Sequence, residues 1–320
     1  MELNDSFSLS HLGKPAWWRA GINDFLDFRS VDKHRTTIGW RNASQYSAYW
    51  EQCQRAYGQD IEVSNHIRDK VDDFKVNGFT SLQTEQTQNL ANKIWGKIQG
   101  ASDIWVEKSG GSGNKNFSGN FWVEFPEIEE LFSNVMTDFL TCYFGCDFKV
   151  WQAVLYQSTN LGQRQGSQGW HSDSGPGSCV NMLFYLHEMG PESGGIELLP
   201  WEKSVEVWKD ARRGLRNAIG HLGARPEGQL GREYISRTVK SKAESSLKKY
   251  VVQPRSPKPG LVVPFLNNLQ HAGGYPAPGF TRTAIVFQFY PADRPIDWER
   301  YAKEGVVRDT GYPHDPALVF

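Results

Sequence analysis

Several things are scarce in this 320-residue chain. No stretch approaches the roughly 18 consecutive apolar residues that a membrane-spanning helix needs. The first residues, Met1-Glu2-Leu3-Asn4-Asp5, lack the basic start and apolar run of a secretory signal, so a cytoplasmic protein with no membrane span is expected. Cysteine is sparse: Cys53, Cys142, Cys146 and Cys179 include no Cys-x-x-Cys pair, which points to reduced thiols rather than a disulfide scaffold. Cys142 and Cys146, four apart on an expected helix without a neighbouring His or Cys cluster, read as part-buried thiols and not as a metal site. An excess of either charge is also missing. Thirty-five Lys and Arg against 36 Asp and Glu leave a net charge of −1, which disfavours a dedicated nucleic-acid binder. The glycine-rich stretch 109–120 lacks the Gly-Lys-Ser/Thr ending of a phosphate loop and reads as a surface loop, a candidate active-site lid.

Aromatic residues, by contrast, are abundant, with 12 Trp, 18 Phe and 12 Tyr. Residues 1–60 mix them with charges at no clear period and read as irregular, partly helical structure. Helical spacing marks 61–76 and 84–99, where Leu90, Ile94 and Trp95 share a face. Pro126 opens a further helix, its apolar positions Ile128, Leu131, Phe132, Val135, Phe139 and Leu140 recurring up to Gly145. Beyond it the texture changes to alternation: 148–158, 179–186, 195–199, 261–265 and 284–290 read as short strands punctuated by Gly and Pro. Residues 201–258 carry 14 Lys and Arg against 6 Asp and Glu and read as a basic insertion, able to steer an anionic substrate or simply solvated. One domain is expected: a mainly helical support over 1–145, a β-core over 146–292 holding the insertion 201–258, and a tail over 293–320. Nothing in the sequence fixes an oligomeric state.

Within the β-core, His171 and Asp173 stand two apart on an extended segment. Their side chains therefore point the same way, one imidazole and one carboxylate aimed at a common point. Such a pair is two thirds of a 2-His-1-carboxylate face, the ligand set of non-haem Fe(II) oxygenases. His271 suits the third place, because it follows the buried strand Gly260-Leu-Val-Val-Pro-Phe265 and precedes a glycine turn. Of the remaining histidines, His11, His34, His66 and His314 lie in the helical region or tail and His221 in the insertion. His187, at a strand end, reads as structural. Eleven residues past His271, Arg282 opens an apolar strand with no acidic residue on it. A buried guanidinium must be paired, and its fork suits a carboxylate bidentately, so its partner is either distant in sequence or a ligand.

Taken together, His171-x-Asp173, His271 about a hundred residues later and Arg282 eleven beyond it resemble the 2-oxoglutarate-dependent Fe(II) dioxygenases. Within them the chain is most similar to the phytanoyl-CoA hydroxylase and ectoine hydroxylase branch. Trp170 before the motif, the run Gly194-Gly-Ile-Glu-Leu-Leu-Pro200 and the strand before His271 match that branch in texture, over about residues 145–292. The resemblance implies a mainly β fold with flanking helices (α+β): a double-stranded β-helix, or cupin-like jelly-roll, core with a helical N-terminal region and a long insertion. It implies Fe(II) on His171, Asp173 and His271, with Arg282 holding the distal carboxylate of 2-oxoglutarate.

Two positions depart from the family. Trp201-Glu-Lys-Ser stands where Gly-Ser-His usually follows Leu-Pro, which leaves the substrate side open. Gly273 replaces the hydroxyl residue that often assists the arginine. Ser158, Tyr156 and Gln152, on one face of the strand before the motif, are the candidates to serve instead.

Three ligands on one face would leave positions for the keto acid and O₂, whereas zinc favours closed or four-coordinate sites and supplies no electrons. The implied reaction consumes Fe(II)-bound 2-oxoglutarate and O₂, releases succinate and CO₂ and oxidises an unactivated C–H of a small molecule. Hydroxylation is the leading outcome, with desaturation or oxidative cyclisation in a natural-product pathway as alternatives. Arg212, Arg213, Arg216, Arg225, Arg232 and Arg237 in the insertion would suit a carboxylate- or phosphate-bearing substrate. A non-catalytic jelly-roll binding protein is the reading from a different class.

Overall fold

The computed structural model describes residues 43–107, 114–133, 135–160, 162, 166–172, 180–211, 242 and 245–304. Among the described residues three helices come first: α1 (Ala43–Tyr57), α2 (Asn65–Asn77) and α3 (Glu85–Ile98). Both α2 and α3 start where the sequence offers a cap. Ser64 Oγ accepts from the Ile67 amide, and Thr84 and Thr87 form a reciprocal capping box, which satisfies amides the first turn leaves orphaned. The apolar spacing then buries Leu90, Ala91, Ile94 and Ile98 of α3.

Two short strands follow, β1 (Trp105–Glu107) and β2 (Asn114–Phe117), then α4 (Phe121–Glu124). The expected helix from Pro126 is two pieces, a 3₁₀ turn over Pro126–Phe132 and α5 (Val135–Phe144). Hydroxyls compete for the backbone at the break. Ser133 Oγ donates to the Glu130 carbonyl and Thr137 Oγ1 to the Phe132 carbonyl, an alternative to continuing the helical ladder.

The long strands β3 (Asp147–Thr159), β4 (Val180–Tyr185), β6 (Val262–Leu266) and β8 (Thr281–Ala292) join β1 and β2 in a six-stranded antiparallel sheet, ordered β1-β2-β3-β8-β4-β6. A third of the expected loop 109–120 is thus a strand, Asn114–Phe117, since Asn114 to Asn116 pair with Ser158 to Tyr156. A proline in β6, Pro264, is accommodated because its nitrogen faces outward. There its carbonyl accepts from Thr80 at 3.1 Å, and the segment 79–82 covers the edge.

Opposite lies a second, shorter sheet, in which β5 (Glu197–Leu198) pairs with β7 (His271–Ala272). Single bridges extend it on both sides, His171 to His271 and Leu198 to Val252. A second bridge, Met189 to Ser256, ties the same stretch to the core. The strand pairing therefore resumes by Val252, earlier than the expected end of the insertion at 258. At its start, α6 (Trp201–Ala211) buries Trp201, Ser204, Val205 and Val207 against the core. Two facing antiparallel sheets with flanking helices make a jelly-roll core.

The outer face of the large sheet carries the aromatic packing. Phe132 meets Phe287 edge-on at 5.4 Å and stacks on Trp298 of α7 (Trp298–Glu304) at 4.9 Å. Cys142 is half-buried, while Cys146 is fully buried beside Cys53 of α1. Within the described residues no helix is long and apolar enough to cross a membrane.

Candidate metal centre and cofactor cavity

The short sheet decides where the histidines go. The His171 and His271 backbones exchange two hydrogen bonds of 2.8 Å each, so the residues sit directly opposite and their side chains project from the same face. The two rings lie 4.3 Å apart between centroids, their planes 53° to one another. Each Nδ1 is 2.8 Å from the carbonyl oxygen two residues earlier, Gly169 for His171 and Leu269 for His271. A carbonyl only accepts, so Nδ1 donates, and in a neutral imidazole the lone pair then sits on Nε2. A histidine ligand oriented by a backbone carbonyl takes this tautomer.

Asp173 lies outside the described residues, as do Cys179 and the arginines Arg212, Arg213, Arg216, Arg225, Arg232 and Arg237. Among the described residues no third His, Cys, Asp or Glu joins the two histidines.

The histidines line a cavity of about 300 Å³ together with Gln152, Tyr156 and Arg282. Arg282 is 2% exposed, and among the described residues no carboxylate pairs with it. Its Nη1 donates to the Gly194 carbonyl and its Nη2 to Ser158 Oγ at 3.2 Å, while Nε has no hydrogen-bond partner among the described residues. The guanidinium carbon lies 5.7 Å from the centre of the Tyr156 ring, within cation–π range. Burial pushes the phenol of nearby Tyr185 well above its usual pKa, and the Arg282 charge opposes that rise.

Of the three sequence candidates beside the arginine, Ser158 touches it through its hydroxyl and Tyr156 through its ring. Gln152 lines the same cavity six residues away along β3. Asn114 was not foreseen. It accepts from Ser158 Oγ and donates to Ser167 Oγ at 3.3 Å, and its only sequence signal was the Gly/Asn-rich stretch read as a loop.

At Gly273 there is no room for the hydroxyl residue that the family resemblance called for. A Cβ there would stand 2.7 Å from the Ser167 carbonyl oxygen, the same oxygen that accepts from the Gly273 amide at 2.7 Å. The chain entering His171 occupies that space. Gly194 is constrained twice: its φ of +68° suits glycine, and a Cβ there would stand 2.3 Å from the Pro276 nitrogen, while its carbonyl accepts from Arg282.

His187 stays apart from the pair. Its Nε2 accepts from the Thr283 amide at 2.8 Å and its Nδ1 lies 2.9 Å from the Glu188 carbonyl, a structural use of both nitrogens.

No family model matches the chain and no curated protein matches it. Solved structures do. EctD from S. alaskensis, solved with 2-oxoglutarate and 5-hydroxyectoine, is similar at 16% identity over 75% of this chain and 84% of its own, with a TM-score of 0.47. SnoN, the non-haem alpha-ketoglutarate-dependent epimerase from nogalamycin biosynthesis, is similar at 11% identity, 71% and 84% coverage and a TM-score of 0.46. HygX from Streptomyces hygroscopicus, solved with nickel and 2-oxoglutarate, is similar at 12% identity, 72% and 88% coverage and a TM-score of 0.45.

Proposed function

We propose that the protein is a non-haem Fe(II)/2-oxoglutarate oxygenase that hydroxylates a C–H bond of a small molecule. The observation that carries this reading is the pairing, in one cavity, of two imidazoles presenting Nε2 with a buried arginine that has no carboxylate partner among the described residues. A buried cation left unpaired is costly, and a ligand carboxylate relieves that cost.

The donor chemistry fits the metal. His171 and His271 would supply two nitrogens held in the ligating tautomer, and Asp173, two residues after His171, would supply the carboxylate. Iron bound there would supply the redox chemistry, coupling decarboxylation of 2-oxoglutarate to oxidation of the substrate C–H by O₂. Everything else falls to the chain. Arg282, with Ser158 steadying one arm of its fork, would orient the distal carboxylate of the keto acid. Tyr156 would cover the guanidinium face and keep water off that contact, which strengthens it in a low-dielectric setting. The Nδ1–H contacts to Gly169 and Leu269 would keep both rings from turning as the substrate arrives.

Anaerobic addition of Fe(II) and then 2-oxoglutarate tests the reading. A weak visible charge-transfer band, dependent on both additions, is expected. Its absence would overturn the oxygenase and leave a binding protein.

A further inference from the structure

On the inner face of the large sheet the register sorts the side chains into rows. Gln288 of β8 is the partner of Gln152 on β3 and of Asn181 on β4, and Asn181 is in turn the partner of Phe265 on β6. Three adjacent strands thus place three carboxamides side by side, all lining the cavity. The next row is apolar, Val154, Val286 and Leu183. Beyond it lies the Arg282 end. Residues 282 and 288 are about 20 Å apart along a strand rising roughly 3.3 Å per residue, so the amide row and the guanidinium occupy opposite ends. The row also reaches the metal-binding pair: the Phe265 ring lies 4.9 Å from the His271 ring.

Two features mark this row as a reading surface. Gln152 and Gln288 are half-buried and make no side-chain hydrogen bond among the described residues. Each carboxamide nevertheless offers two donor protons and an oxygen with two lone pairs. Besides Arg282, the described lining of the cavity carries no Asp, Glu, Lys or Arg. A charged group pressed against the row would find no counter-ion among the described lining residues.

We propose that Gln152 and Gln288, beside Asn181, bind the molecule to be oxidised, and that its part nearest the histidines is uncharged and bears hydroxyl or amide groups. This rests on the iron reading above. The Val154, Val286 and Leu183 belt faces the hydrocarbon part of the same molecule, and the amides fix which carbon comes forward.

The test compares three probe sets, neutral polyols and carboxamides, carboxylates, and amines, for stimulation of succinate release above the rate without substrate. The neutral set is expected to stimulate. Gln152→Leu and Gln288→Leu are expected to raise the KM of the best neutral probe about tenfold or more, with the 2-oxoglutarate KM nearly unchanged. Independently of turnover, the neutral set should shift the side-chain amide NMR signals of Gln152 and Gln288 in metal-free protein.

Stimulation by charged sets alone, or by none, overturns the assignment, as does a variant effect on 2-oxoglutarate instead. Should either variant fail to fold, the comparison of probe sets on the unaltered protein still decides. The two readings fail separately. Loss of the anaerobic charge-transfer band strikes the iron reading, whereas an intact band with a silent neutral set strikes only this one.

Discussion

Ser158 and Arg282 face each other across the β3–β8 pair, and the hydroxyl of one accepts from Nη2 of the other at 3.2 Å. The same hydroxyl donates to Asn114 Oδ1, so its proton and one lone pair are both committed. One end of the guanidinium fork is thereby fixed from β3 and the other by the Gly194 carbonyl.

Replacing Arg282 should separate the two substrates. Arg282→Lys keeps the charge but loses the planar fork, and should raise the 2-oxoglutarate KM by about tenfold to a hundredfold, since charge-assisted hydrogen bonds are worth roughly 1.5–3 kcal/mol. Arg282→Ala should cost more. Steady-state kinetics should show little change in the prime-substrate KM, and equal effects on both KM values would remove the assigned role.

Ser158→Ala deletes one hydrogen bond that orients the guanidinium and leaves the charge in place. The lost bond is not made to the keto acid itself, so the 2-oxoglutarate KM should rise less than in the arginine variants, about twofold to tenfold. Ser158→Thr retains the hydroxyl and should recover most of that loss. A threonine variant as impaired as the alanine one would point to packing instead.

Metal binding should be measurable without turnover. Ni(II), which binds the same ligand types without the O₂ chemistry, should raise the unfolding midpoint. A ligand at about 100 times its Kd adds roughly 2.7 kcal/mol of stability. His171→Ala and His271→Ala should each abolish the rise in a thermal melt, and a rise that survives in both variants would place the metal elsewhere.

Gly273→Ser would place a hydroxyl two residues after His271, but it would force a Cβ to within 2.7 Å of the Ser167 carbonyl oxygen. Overpacking of this kind costs about 1–3 kcal/mol. The melting midpoint should fall by roughly 2–4 °C per kcal/mol, and a variant as stable as the parent would show that the turn over Gly166–Gln168 moves aside freely.

His187 gives the protein a pH dependence. Burial lowers its pKa from the ordinary 6.5, so the unfolded chain binds its proton more readily than the folded one. The contribution to stability is full above about pH 6.5 and is lost as pH falls through the lowered folded value. The unfolding midpoint should therefore drop as pH is taken below that point, and His187→Gln, which does not titrate, should flatten the drop. An unchanged slope in that variant would assign it to other groups.

The parts of the site legible in the sequence were those with a short-range signal. Alternation placed β3, β4, β6 and β8 close to their observed bounds, and a buried arginine on a strand without acids implied a partner either distant in sequence or a ligand. Asn114 was not legible, because its position comes from pairing with Ser158 forty-four residues away and not from its Gly-rich neighbours. The break after Phe132 was hidden for a related reason: the apolar period continues through it, while the hydroxyls of Ser133 and Thr137 interrupt the backbone. Val252 lay in a stretch read as insertion, since a single bridge to Leu198 leaves no alternating pattern to detect.

The direct pairing of His171 with His271 bears on how such a protein can change over time. The two residues are held by their own backbones, in a row continued by Leu198 and Val252. The hundred residues between them thus enter and leave the short sheet at anchored points. A change that weakened the short sheet would move both imidazoles at once, because each backbone is the other's hydrogen-bond partner.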